Sequence, residues 1–306
     1  MLNTALRYFL EIVSSGSLTT AANKLHVAPS AVSRMVRKLE DEHGMALFER
    51  HARGMVLTEA GRLLASYARR ASLESERVRA DIRSLQGIEQ TLIKVSANQA
   101  FANELLPSVM GEFRLKEPHV TFKLSVLQAA EINRRVREGE DDIGVCYSMA
   151  PPEAVDVQYA RRVPVYAIMP PHHPLAKREI VSMKEIADYP VALMGEGSTI
   201  RFIVELCCLH EDLKLDVVMT CNRINTIHNF CREFNIISFC GYLTVQHAMA
   251  RGELVAVRVS NPELHQREFN IQTMAGRELP HSAQRLIQAI VKRVEAAELP
   301  FDASLN

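Results

Sequence analysis

Residues 17–44 read SLTTAANKLHVAPSAVSRMVRKLEDEHG, and this stretch decides the fold. Ser17 can cap a short helix, Leu18 to His26, whose Leu18, Ala21, Ala22 and Leu25 face one side. Val27-Ala28-Pro29-Ser30 breaks it. A further helix then runs from about Pro29 to His43, with Val32, Met35, Val36 and Leu39 on its buried face. Pro29 suits a helix start, because its missing N–H is not needed there. Helix, tight turn, helix is the arrangement that places a recognition helix in the DNA major groove. The outer face of the second helix carries Ser30, Ser33, Arg34, Arg37 and Lys38, and short hydroxyls and cations are what groove edges and phosphates accept.

The flanks agree with this. Upstream, Leu2, Leu6, Phe9, Leu10 and Val13 form one helical stripe that ends at Gly16. Downstream, Ala46-Leu47-Phe48 and Met55-Val56-Leu57 flank Arg50-His51-Ala52-Arg53-Gly54, which reads as a β-hairpin wing with a basic tip. Ser30, Ser33 and Arg34 are the candidates for reading the groove. Arg37, Lys38, Arg50 and Arg53 are candidates for phosphates or the minor groove. Periodicity alone leaves a small helical domain with solvated arginines as the alternative.

Thr58 caps a long helical stretch. Leu64, Ala68, Ala71, Ser75, Val78, Ile82 and Leu85 recur in alternating steps of four and three, a heptad seam about 40 Å long at 1.5 Å per residue. So narrow a stripe predicts pairing with a second copy, against the alternative of packing on its own domain. From Leu92 the texture changes. Apolar runs at Leu92–Ala97, Val120–Leu127, Asp142–Tyr147, Pro164–Met169, Val191–Met194, Leu215–Thr220, Ile236–Cys240, Leu254–Val259 and Glu268–Met274 alternate with helical stretches. This predicts an α/β unit with a largely parallel sheet, in two subdomains with a cleft between them.

Composition sets bounds. The 306 residues suit two or three domains. With 36 basic and 36 acidic residues the net charge is zero, so any DNA-binding surface must be local. Met1–Leu10 lacks a basic stretch followed by an apolar run, and no segment approaches a membrane span, which predicts a cytoplasmic protein without membrane attachment. The six cysteines are then expected to be mostly reduced. No GxSxG, Walker, GxGxxG or HExxH spacing occurs, so neither catalysis nor a cofactor is expected. A secreted solute-binding protein fits the C-terminal part but not the basic N-terminal helix. Cys207-Cys208 with His210 nearby invites a redox or metal reading. Adjacent helical residues diverge, so buried helix positions without metal are expected. His172-His173 is likewise not read as a metal site.

The sequence resembles the LysR-type transcriptional regulators over nearly its whole length. The resemblance rests on Leu6-Arg7-Tyr8-Phe9, Gly16-Ser17-Leu18, Ala21-Ala22, Leu25-His26-Val27, Ala31-Val32-Ser33-Arg34, Leu39-Glu40, Gly44, Leu47-Phe48-Glu49-Arg50 and Leu57-Thr58-Glu59-Ala60-Gly61. Further on, Leu105-Leu106-Pro107, Phe113, Pro118, Gly139 with Asp142, and His173-Pro174-Leu175 match the sensor part. The resemblance implies a winged helix-turn-helix over 1–58 and a linker helix for dimerisation over 59–90. It implies an effector-binding domain similar to periplasmic binding proteins over 91–306, with subdomain I at 91–162 and 268–306 and subdomain II at 163–267. It also implies a homodimer or dimer of dimers (a homotetramer) on double-stranded DNA, at an interrupted dyad near a promoter. Two departures stand out. Ala28-Pro29-Ser30 replaces the usual Ser-Gln-Pro. Glu233 and Asn235 replace two glycines, which predicts an altered cleft wall.

Ligands of open α/β sheets sit beyond the carboxyl ends of strands. One strand feeds a helix starting near Asn98-Gln99-Ala100, another feeds Ser198-Thr199 through Gly195-Glu196-Gly197. Two helix N-termini aimed at one cleft favour a small organic anion, with Arg201 assisting. The resemblance implies effector contact for Asn98, Gln99, Ala100, Ser198 and Thr199. Asn222 and Asn225 are weaker candidates, and Phe101 is expected in the core.

Overall fold

The computed structural model describes residues 3–51, 54–84, 90–149 and 154–297. They form two compact units. One comprises the described chain up to Ser84 with Gly276–Pro280, and the other runs from Gln90 to Ala275 and onward from His281.

In the first unit, α1 (Thr4–Ser15), α2 (Leu18–Leu25) and α3 (Pro29–His43) form a three-helix cluster. Each terminus has a local cause. Asn3 accepts the Ala5 N–H and Ser17 the Thr20 N–H, while Gly16 and Gly44 close α1 and α3 at φ 64° and 65°. Phe9, Ile12, Ala21, Ala22, Val32, Val36 and Leu39 form the core beneath. The wing pairs β1 (Phe48–His51) antiparallel with β2 (Gly54–Leu57). Phe48 meets Phe9 with ring centroids 5.1 Å apart. The Met55 N–H donates to Gly16 O at 2.9 Å, which seats the wing on the α1–α2 turn. Gly54 has φ 130°, and a Cβ there would lie 2.5 Å from Gly16 O, so only glycine fits this approach. The tip residues Ala52 and Arg53 lie outside the described residues.

Helix α4 (Glu59–Ser84) starts where expected. Thr58 Oγ1 accepts the Gly61 N–H at 3.0 Å and donates to Ala46 O at 2.7 Å. Its 26 residues span about 39 Å. Ala65 and Ala68 are buried, whereas Tyr67, Val78 and Ile82 are exposed. Leu85 lies outside the described residues.

The second unit has two lobes. Lobe I opens with β3 (Thr91–Ala97), α5 (Gln99–Ala102), α6 (Leu105–Lys116), β4 (Val120–Val126), α7 (Ala129–Arg137), β5 (Ile143–Ser148) and β6 (Val155–Arg162). Lobe II follows with β7 (Val165–Met169), β8 (Ile180–Val181), α8 (Met183–Ile186), β9 (Pro190–Met194), α9 (Thr199–His210), β10 (Asp216–Cys221), α10 (Ile224–Glu233), β11 (Ser238–Gly241), α11 (Tyr242–Ala250) and β12 (Val255–Val259). The chain then returns to lobe I as β13 (Glu268–Met274) and α12 (His281–Glu295).

Lobe I holds the sheet β4-β3-β5-β13-β6, and lobe II holds β11-β7-β12-β8 beside the pair β10-β9. The expected largely parallel sheet is corrected to mixed sheets. β13 runs antiparallel to β5 and β6, and β7 antiparallel to β11 and β12. For β13 the returning chain imposes this, because it re-enters at the end of the sheet where β5 and β6 finish and so runs against both. Strand β6 has no counterpart among the apolar runs read from sequence. It is an edge strand, and its half-buried Val155, Tyr159 and Arg161 are separated by exposed positions.

Lobe I holds a charge pair whose carboxylate is buried and whose guanidinium is half-buried. Arg135, on α7, donates from Nε to Asp141 Oδ2 at 2.6 Å and from Nη2 to Oδ1 at 3.0 Å. The Asp141 side chain is 0% exposed. Alongside, Ile132 and Val136 pack against Cys146 of β5.

Candidate nucleic-acid interface and effector cleft

On α3, every third or fourth residue is spent on the core through Val32, Val36 and Leu39. The opposite face is therefore free, and it presents Ser30, Arg34, Arg37 and Lys38 exposed with Ser33 half-buried. Lys38 lies 3.8 Å from Glu42, an exposed pair worth little. Among the described residues neither Arg34 nor Arg37 has a carboxylate partner, so both heads are available. Arg50 lies on β1. Arg53 lies outside the described residues.

Between the lobes lies a cavity of about 560 Å³. Asn98, Gln99, Ala100, Ser198 and Thr199 all line it, together with Gln128, Tyr147, Asn222, Arg223, Cys240, Thr244 and Arg267. Ser198 caps α9 by accepting the Ile200 N–H at 3.2 Å. Asn98 is a clamp. Its Nδ2 donates to Leu127 O at 3.1 Å and its Oδ1 accepts the Tyr147 N–H at 2.9 Å, tying three segments of lobe I together. Gln99 Oε1 accepts the Ile224 N–H at 3.2 Å, so a lobe I side chain caps helix α10 of lobe II. Asn225 bonds Asn103 across the same gap at 3.2 Å. Phe101 is fully buried against Tyr147 and Phe269. The helix at Asn98 is only Gln99–Ala102, a single turn.

Arg201 does not join this group. It pairs with Glu205 at 2.5 Å and lines an adjoining outer pocket. Glu233 and Asn235, expected to alter the cleft wall, are exposed at the far end of α10, where Glu233 pairs with Arg232 at 3.0 Å. That expectation is corrected: the residues line no part of the cavity.

The residue that sequence reasoning missed is Arg267. It is fully buried, lines the cavity, and its Nε, Nη1 and Nη2 have no hydrogen-bond partner among the described residues. Its Cζ stands 3.7 Å from the Tyr147 ring centroid. Burial pulls its pKa below the usual guanidinium value, with Tyr147 and Cys240 opposing that shift. In the linear sequence it is one arginine among many polar residues before an apolar strand, and nothing local marks it.

Cys207 and Cys231 are buried and held toward the thiol form. Burial, then the Glu263 carboxylate, pushes the Cys207 thiol up to about 12, and burial does the same to Cys231. Iodoacetamide at pH 8 is expected to leave both unmodified in the folded protein and to alkylate both after urea denaturation, read by mass spectrometry. Fast labelling of native Cys207 would restore it as a redox candidate. Among the described residues no cluster of three His, Cys, Asp or Glu side chains could hold a metal, and no helix is long and apolar enough to cross a membrane.

Comparison with known proteins fits this geometry. Residues 4–62 match the family description "Bacterial regulatory helix-turn-helix protein, lysR family", and residues 86–295 match "LysR substrate binding domain". The chain belongs to the LysR family of DNA-binding transcription regulators. Among curated relatives it is similar to the "Probable RuBisCO transcriptional regulator" of Trichormus variabilis, 31% identical over 232 residues, 73% of this chain and 68% of that protein. Among solved structures it is similar to ArgP from Mycobacterium tuberculosis, with TM-score 0.70, 16% identity and coverage of 97% and 98% of the two chains. It is also similar to the Synechocystis CcmR regulatory domain in complex with 2-PG, with TM-score 0.57, 20% identity and coverage of 67% and 98%. These two structural likenesses concern the fold.

Proposed function

We propose that this regulator works in the cytoplasm as a homodimer or dimer of dimers, and that its hold on a promoter is set by a small organic anion in the cleft between its lobes. The observation that carries the anion is the shared address of two helix starts. The N-terminal ends of α9, at Ser198-Thr199, and of α10, at Arg223-Ile224, line one cavity. Ser198 and Gln99 each cap one N–H there, and the positive end of each helix dipole still favours negative charge. Asn98, Gln99 and Ala100 close the cavity from lobe I, while Arg201 lines the adjoining pocket and pairs with Glu205. The similar CcmR domain carries 2-PG.

Pairing of copies rests on α4, whose exposed Tyr67, Val78 and Ile82 line a groove with Leu6 and Ala71. A second α4 of the same pattern would cover it. Two such copies present two α3 helices to an interrupted dyad. Ser30, Ser33 and Arg34 read bases there, while Arg37, Lys38, Arg50 and Arg53 hold phosphates or the minor groove.

A thermal-shift screen of the full chain against organic acids, amines and neutral apolar compounds tests the ligand class. Mono- and dicarboxylates or phosphorylated acids are expected to raise the melting temperature by several degrees, roughly what a ligand at 100-fold over its Kd delivers. Stabilisation by cationic or wholly apolar compounds alone would sink the reading.

A further inference from the structure

The chain crosses between the lobes twice. It leaves lobe I through Val163-Pro164, between β6 and β7, and comes back through Gln266-Arg267, directly before β13. The two crossings touch, because the Val163 N–H donates to Arg267 O at 2.8 Å. Arg267 is therefore part of the hinge itself. Its side chain leaves the hinge for the cavity floor and meets both lobes there. On one side is the face of Tyr147 from β5. On the other is Gly241, at the end of β11, where a Cβ would collide with the guanidinium.

A buried guanidinium normally owes its place to a carboxylate. Here the described residues supply none. Among the described residues Glu196 is the one carboxylate lining the cavity, and it is exposed on the loop before α9. The Tyr147 ring offers partial compensation through its π face, but it cannot satisfy five in-plane N–H donors. The fold thus maintains a fully desolvated cation, aimed into a cavity large enough for a small metabolite and bordered by two helix N-termini. A planar fork of this kind matches a carboxylate or phosphate, two oxygens at a time.

We infer that Arg267 is the receptor for the effector's anionic group, and that its position on the hinge couples occupancy of the cavity to the arrangement of the lobes. The inference rests on the anionic-effector reading above and adds the residue that enforces it. The effector presents a carboxylate or phosphate at its inner end, on the Arg267 fork. Its remaining polar groups face Ser198, Thr199 and Gln128 nearer the rim. The bound anion completes the missing charge pair, and both hinge crossings then move less, since one of them carries the guanidinium and the other is hydrogen-bonded to its backbone.

The test uses full-length protein in low-chloride buffer, with inorganic phosphate, malonate and citrate as probes and binding read by calorimetry and melting temperature. Wild type is expected to bind at least one probe. Arg267→Met removes the charge at similar volume. It is expected to melt no lower than wild type without probe, because an uncompensated buried cation is gone, and to bind that probe at least about tenfold more weakly. Hydrogen exchange at the Val163 amide is expected to slow on probe addition in wild type and to stay unchanged in the variant. If Arg267→Met binds the probe as wild type does, or if its Val163 amide slows equally, the Arg267 assignment is wrong while the anionic reading survives. If no probe binds wild type, reading and assignment fall together. Should Arg267→Met not fold, Arg267→Lys decides. It keeps the charge without the fork, so weakening of about tenfold supports the assignment and unaltered affinity overturns it.

Discussion

Replacing Arg34 by alanine is expected to erase the protein's preference for its operator over random duplex. The side chain stands on the exposed face of α3, one turn in from Pro29, and no carboxylate among the described residues draws its head away. A base-reading arginine contributes about 1–3 kcal/mol of discrimination, or roughly 5–150-fold in relative affinity. Two copies in a dimer double that exponent. Contacts to phosphate behave differently. Arg53→Ala is expected to weaken binding to every sequence alike and to lower the slope of log affinity against log salt by about one per copy, or about two for the dimer. Competition shifts with operator and scrambled duplexes at two salt concentrations separate the two behaviours. An Arg34→Ala protein that still discriminates as wild type does would remove this arginine from base reading.

Arg135→Ala is expected to cost the sensor unit about 3–5 kcal/mol, because it strands a fully buried carboxylate. Asp141 has no exposed atom to offer solvent, and both its oxygens are held by the Arg135 fork. For a unit of this size such a loss lowers the melting temperature by roughly 10 °C. The double variant Arg135→Met with Asp141→Leu is expected to regain much of that, since removing both charges leaves neither unpaired. Calorimetric scans of both variants read the outcome. A change in Arg135→Ala below about 1 kcal/mol, the range of an exposed pair, would show that water reaches Asp141 after all.

The DNA-binding unit was almost wholly legible in the sequence, and the reason is local. Pro29 and His43 bound α3 as read, and Ser17 and Thr58 cap as read, because caps and 3.6-residue periodicity act within a few residues. The sensor unit was legible as alternating strands and helices but not in strand direction. Whether β13 runs with or against β5 depends on where the chain has been in between, and no window of residues encodes that. Edge strand β6 escaped for a related reason, having too few buried positions to mark it. The cleft shows the same division. Ser198 and Thr199 follow from the rule that strands deliver helix starts to one end of a sheet. Arg267 does not, because its burial comes from the closing of lobe II over it and from the absence of a side chain at Gly241, 26 residues upstream. Glu233 and Asn235 erred in the opposite direction, since nearness in sequence to a cleft strand does not place a residue in the cleft.

The contact between Val163 and Arg267 makes lobe II a guest within lobe I. Everything between those two residues departs from and comes home to points one hydrogen bond apart, so its host sheet closes whether or not the guest is there. A short turn in its place should leave β6 and β13 paired, and a foreign lobe grafted at the same two residues would bring its own chemical taste to an unchanged DNA reader. Lobe II's share of ligand specificity can in this way be exchanged as a cassette, while the promoter address stays where it was.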